Sequence, residues 1–146
     1  MTIRTLVLAA ALATATPALA QKAEVFTDAG AAIRGYDPVA YFTDSKPVKG
    51  DAKFTYNWKG ATWRFASAAN RDAFAASPEK YAPQYGGYCA YGVASGYAVS
   101  TVPEAWSVRD GKLYLNYSTG VQKDWLRDPA GYIRKADGNW PKVLER

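Results

Sequence analysis

The sequence predicts a small α+β domain in which two β-hairpins are packed by short helices. Three observations lead there. Residues 54–65 alternate between aromatic and polar side chains around Lys59-Gly60. A second two-residue turn signal, Asp110-Gly111, sits between Trp106-Ser107-Val108 and Leu113-Tyr114-Leu115. Between and after these segments stand helix-start signals: Ser67, Ser77-Pro78, Ser118-Thr119 and Asp128-Pro129. Period-two alternation marks a half-buried strand, and a Gly in a two-residue turn supplies the positive φ that joins two such strands.

The segment from 21 to 35 reads as an irregular arm, followed by Gly35-Tyr36-Asp37-Pro38, where Asp before Pro fits a turn or a helix start, and by a surface loop at 43–51. In the first hairpin a turn at Lys59-Gly60 pairs Trp58 with Ala61, Tyr56 with Trp63 and Phe54 with Phe65. Five aromatic residues then share one face, and that face needs cover. The helix expected over 68–76, capped by Ser67 and carrying Phe74, supplies it, and a second short turn starts at Ser77-Pro78 and ends near Tyr81. Residues 83–97 combine four Gly with four Tyr and are expected to wind, forming neither plain strand nor helix. The second hairpin pairs Val108 with Leu113, Trp106 with Leu115 and Arg109 with Lys112. A helix bearing Val121 and Trp125 follows, then one opened by Asp128-Pro129 and ended by Gly138, and a last turn begins at Trp140-Pro141.

Near its start the chain carries Arg4, then an Ala- and Leu-rich run to Ala20 with a small-x-small site at Ala18-Leu19-Ala20 before Gln21. This is the pattern of a secretory leader over 1–20, leaving 21–146 as one domain. The Ala-rich run with Pro17 is too weakly apolar for a membrane span, and Gln21 stands where a lipoprotein would need Cys, so the expectation is a periplasmic protein with no membrane anchor after cleavage. The 18 basic and 13 acidic residues give a net charge of +5. The basic residues are mostly scattered singly and the adjacent Arg134-Lys135 is too short a run to track phosphates, which together with export excludes nucleic acid as a partner and leaves a small molecule or another envelope protein. All 5 Trp, 11 Tyr and 5 Phe lie after residue 20, enough to thicken a small core or to line a groove.

At this point the residues resemble a known family. The hairpin leading to Trp63-Arg64-Phe65-Ala66-Ser67, the helix with Phe74, Ser77-Pro78-Glu79-Lys80-Tyr81 and the upstream Asp37-Pro38-Val39 are similar to the YHS domain. The stretch from Tyr81 to Gly92, Asp110 to Tyr117 and Asn139-Trp140-Pro141 resembles an exported stand-alone subgroup, so that the resemblance spans nearly all of 33–144, with a helical C-terminal extension. It implies heavy-metal handling, because related modules occur in copper-transporting ATPases and carry cysteines in the Asp-Pro-Val segment and at the hairpin-to-helix junction. Here those positions hold Ala40, Ala66 and Ala69 or Asn70.

The chain has no His, one Met at its start and one Cys, Cys89. Zinc and copper sites draw on Cys, His and Met, so no zinc or copper site is expected within one monomer, and the cofactor, if any, stays unknown. A nucleophile activated by His is excluded, no phosphate-binding loop is present, and Asp37 and Glu104 are the carboxylates left for acid/base work. Two readings follow. In the first, the protein is a non-catalytic binding or accessory module, with Tyr36, Asp37, Tyr85, Tyr88, Cys89, Tyr91, Trp106 and Tyr114 bordering a concave site. In the second, Cys89 acts as a thiol or as a metal ligand pooled between two copies of the chain. A buried, slowly reacting Cys89 is expected, since free Cys is most often a small core residue.

Overall fold

The computed structural model describes residues 9–11 and 21–146; the expected leader lies outside the described residues except for 9–11. Among the described residues, three antiparallel two-stranded sheets and six short helices follow one another. The arm at 21–35 is more ordered than its composition suggests, for it contains a miniature hairpin of β1 (Thr27–Asp28) and β2 (Ala31–Ala32). Its Ala29-Gly30 turn has positive φ at both residues. A short α1 (Ala40–Thr43) follows Asp37-Pro38-Val39.

β3 (Asp51–Trp58) and β4 (Ala61–Phe65) form the first large hairpin, with Trp58 opposite Ala61 and Tyr56 opposite Trp63 as expected from the turn. The expected Phe54–Phe65 pair does not form. Phe65 pairs with Asp51 and Arg64 with Thr55, because β3 bulges between residues 51 and 55. The Asp51 carboxylate accepts from Lys53 N at 2.8 Å, a local turn that takes residues out of the ladder. α2 (Ala68–Ala76) covers the hairpin, started by Ser67, whose Oγ accepts from Asn70 N. Phe74 from this helix packs on Trp63 and Phe65 with ring centroids 5.1 Å apart in each case. Fully burying aromatic side chains of this size contributes about 2–3 kcal/mol apiece, so this cluster is the anchor of the first half of the chain.

α3 (Pro78–Tyr81) leads into a 3-10 turn at Gln84–Gly87 and then α4 (Ala90–Ala94). The helix corrects the expectation of a wound, non-helical stretch over 83–97. Positive φ occurs at Tyr85-Gly86-Gly87 and again at Gly96, and between them the Cys89 sulfur caps a regular helical turn. β5 (Trp106–Arg109) and β6 (Lys112–Leu115) pair in the expected register. α5 (Thr119–Trp125) is capped by Ser118, and α6 (Pro129–Asn139) by Asp128; the latter runs past Gly138 by one residue. A final 3-10 turn spans Lys142–Glu145.

The buried side chains form two clusters. The first joins the β3–β4 hairpin to Val25, Ile33, Val39 and Tyr41, and the second joins α4 and α6 to Tyr85, Tyr88, Trp125, Val143 and Leu144. Strand β6 is the wall between them: Leu113 and Leu115 enter the first cluster and Tyr114 the second. Alternating side chains on a strand point to opposite faces, so one four-residue strand serves both cores.

Candidate functional site

Asp37 is fully buried, and its carboxylate organises the junction between the arm and the hairpin. Oδ1 accepts from Val39 N at 2.8 Å and Ala40 N at 3.3 Å. Oδ2 accepts from Ala66 N at 2.9 Å and Asn70 Nδ2 at 2.8 Å. The three places where the resemblance implies thiols, Ala40, Ala66 and Asn70, are therefore gathered around one side chain. Both oxygens already accept hydrogen bonds, and the neighbouring groups are donors with no soft ligand atom among them. This donor set does not fit a soft metal ion, which wants thiolate, thioether or imidazole. Among the described residues no group of three or more His, Cys, Asp or Glu side chains is placed to hold a metal. Glu104, the other candidate for acid/base work, is exposed on its loop and is not among the groups that bond Asp37.

A cleft of about 390 Å³ opens between the tip of the first hairpin and α6. Trp58 and Lys59 form one wall, Glu79 and the 82–85 turn another, and Asp137 and Trp140 the third. Tyr85 holds a left-handed backbone, φ 59° and ψ 35°, which a bulky residue rarely adopts. The reason is visible next to it. Gly86 and Gly87 lie against other backbone and side chains, where an added Cβ at Gly86 would collide with the Glu24 carbonyl and one at Gly87 with Ile33. The turn is thus pressed into the arm, and Tyr85 absorbs the remaining curvature. Its hydroxyl donates to Asp137 Oδ1 at 2.8 Å, and its ring packs on Trp140 at 6.0 Å. Burial, then the bond to Asp137 and the charge of that carboxylate, hold the Tyr85 hydroxyl in its protonated form far above the ordinary tyrosine range. A second hollow of about 380 Å³ shares Trp58 and Glu79 with the cleft and continues it along α3.

Cys89 is 1% exposed. Its thiol donates to Asn116 Oδ1 at 3.4 Å, while Gly92 N and Tyr117 N donate to the sulfur at 3.3 and 3.2 Å. Burial pushes the thiol's ionisation upward, and the N–H groups of Gly92, Tyr117 and Tyr91 oppose this without reversing it. The sulfur lies beneath an apolar groove walled by Tyr91, Val99, Tyr117 and Val121.

The eight residues expected to border one concave site are distributed over the molecule. Tyr85 lines the cleft; Cys89 and Tyr91 line the separate apolar groove. Tyr88 and Tyr114 are buried in the second cluster, with Tyr88 donating its hydroxyl to Ala23 O at 2.7 Å. Trp106 packs on Tyr41 at 5.5 Å on the first cluster, and Asp37, with Tyr36 beside it, belongs to the arm. Trp58, Lys59, Glu79, Asp137 and Trp140 were not singled out as site residues from sequence, because they come from three distant segments. Only the Trp58-Lys59 turn carried a signal, an aromatic at the tip of a hairpin.

No curated protein and no solved structure matches the chain. Residues 39–85 match the family model of the YHS domain, a span that runs from the segment held by Asp37 through the hairpin and α2 to the strained Tyr85. The chain thus carries a YHS domain at residues 39–85.

Proposed function

We propose that the protein is an exported, non-catalytic binding module that takes a small ligand in the cleft between its YHS domain and its C-terminal helix α6. The observation that carries this reading is the cleft's position. Trp58, Lys59, Glu79 and Tyr85 come from the YHS span, while Asp137 and Trp140 come from outside it. Seams between structural units are where ligand sites most often form, and three aromatic faces with a few polar groups are the usual lining. The absence of His from the sequence and the full hydrogen bonding of Asp37 weigh against catalysis. The burial of Cys89 weighs against a thiol pooled between two copies.

Native mass spectrometry of protein isolated from its own compartment tests the reading. The expected result is a small molecule retained by the wild type and lost from Gln84→Trp, in which a bulky ring fills the cleft from its 82–85 wall. Retention of the same molecule by the filled variant, or an empty wild type that no small-molecule panel perturbs, overturns it. Export rests on the leader pattern at 1–20, and N-terminal sequencing of the exported protein is expected to begin at Gln21.

A further inference from the structure

We propose that the cleft selects an organic cation, a ligand with a trimethylammonium or alkylammonium head; this rests on reading the cleft as the binding site. The aromatic walls are the first reason. Trp58, Tyr85 and Trp140 present ring faces or edges to about 390 Å³ of space, enough for such a head with a short chain. Ring faces attract cations through their quadrupole, Trp most strongly.

The second reason is that one of these rings already holds an ammonium. Lys59 Nζ lies 4.7 Å from the Trp58 ring centroid, so the geometry that a ligand cation needs is realised within the chain itself. The third reason is charge. In a protein of net charge +5, the cleft carries two carboxylates, Glu79 and Asp137, against one base. That base, Lys59, is paired with Glu24 at 3.2 Å, outside the cleft walls. No ion pair among the described residues uses Glu79 or Asp137. Asp137 Oδ1 is committed to the Tyr85 hydroxyl, and that bond fixes the carboxylate beside the rings. An anion entering here would meet two carboxylates and a lysine already neutralised, whereas a cation meets aromatic faces and acceptors together.

The experiment titrates choline and its uncharged tert-butyl isostere into the full exported protein, followed by calorimetry and tryptophan fluorescence. Choline is expected to bind roughly tenfold more tightly than the isostere, the middle of the range for a cation over partly desolvated rings. The Glu79→Gln, Asp137→Asn double variant is expected to weaken choline about fivefold and leave the isostere unchanged, since exposed charges act weakly. Lys59→Met is expected to tighten choline, because it vacates the Trp58 face and removes a like charge. Equal binding of choline and isostere, or weaker choline binding by Lys59→Met, overturns the proposal. Neutral sugars or anions that bind and are blocked by Gln84→Trp, while choline does not bind, defeat the cation and leave the cleft reading standing. A panel in which nothing binds defeats both.

Discussion

Replacing Asp37 tests whether its carboxylate, hydrogen-bonded to positions where the resemblance implies thiols, ties the arm to the span 39–85. In Asp37→Ala four N–H donors lose their acceptor: Val39 N, Ala40 N, Ala66 N and Asn70 Nδ2. The first two are enclosed with the buried carboxylate and find no substitute, at about 1–3 kcal/mol for each orphaned donor. The other two lie in partly exposed surroundings, where water replaces the carboxylate at about 0.5 kcal/mol or less each. The sum is about 4 kcal/mol, a large part of the ~5–15 kcal/mol that stabilises a domain of this kind. Asp37→Asn keeps the Oδ1 bonds and sets an amide against Ala66 N, so that one donor faces another while Asn70 can turn its own oxygen inward. We expect about 2 kcal/mol for it. Urea unfolding followed by tryptophan fluorescence reads both values; at a slope of about 2 kcal/mol per M the Ala variant's midpoint falls by about 2 M with the slope unchanged. Two variants within about 0.5 kcal/mol of wild type, the ordinary scatter of surface substitutions, refute the reasoning.

Cys89 in the native protein is expected to react slowly with a thiol reagent and at once in urea; stoichiometric native labelling within seconds contradicts its burial. Cys89→Ala is expected to cost about 2 kcal/mol in the same unfolding assay, because Gly92 N and Tyr117 N lose the sulfur they bond. Gly86→Ala is expected to destabilise by about 3 kcal/mol or more, since its Cβ meets the Glu24 backbone at positive φ, whereas Gly60→Ala, also at positive φ but with open space around it, costs about 1 kcal/mol; similar losses at the two positions argue against the close approach of arm and turn. Above about pH 10 the unfolded state releases tyrosine protons that buried Tyr41 and Tyr85 keep, so stability is intact below that pH and falls by about 1.4 kcal/mol per pH unit for each of the two as the pH rises; a thermal midpoint that stays flat between about pH 10 and pH 12 counts against their burial.

Local chemistry explains which parts of this fold can be read from sequence. The turns at Lys59-Gly60 and Asp110-Gly111 and the caps Ser67, Ser118 and Asp128 each act within a few residues, and all lie where their patterns place them. What escaped depends on distant partners or on substitutes for the usual residue. The bulge in β3 follows from a side chain bonding its own backbone, and α4 hides in a Gly-rich stretch because a cysteine stands in for the Ser or Asp of an ordinary cap. The miniature hairpin β1–β2 has strands of two residues each, too short for any alternation to show. Tyrosine was the least legible residue: Tyr85, Tyr88 and Tyr114 sit in the same cluster, yet only contacts to Asp137 and to Ala23, across 52 and 65 residues, decide which ring faces a cleft and which is interior.

The arm offers one more consequence. Lys22 N donates to Leu144 O at 2.7 Å, and Phe26 N to Gly86 O at 2.9 Å, so the folded path from 22 to 144 closes nearly into a ring. Joining residues 21 and 146 through a few glycines and cutting at Gly111, whose surroundings are open, would yield a permuted chain with the same two cores. In such a chain the order of synthesis is changed while every buried contact is kept. A reporter could then be carried on the Asp110-Gly111 turn, away from the cleft and from the seam where Lys22 meets Leu144.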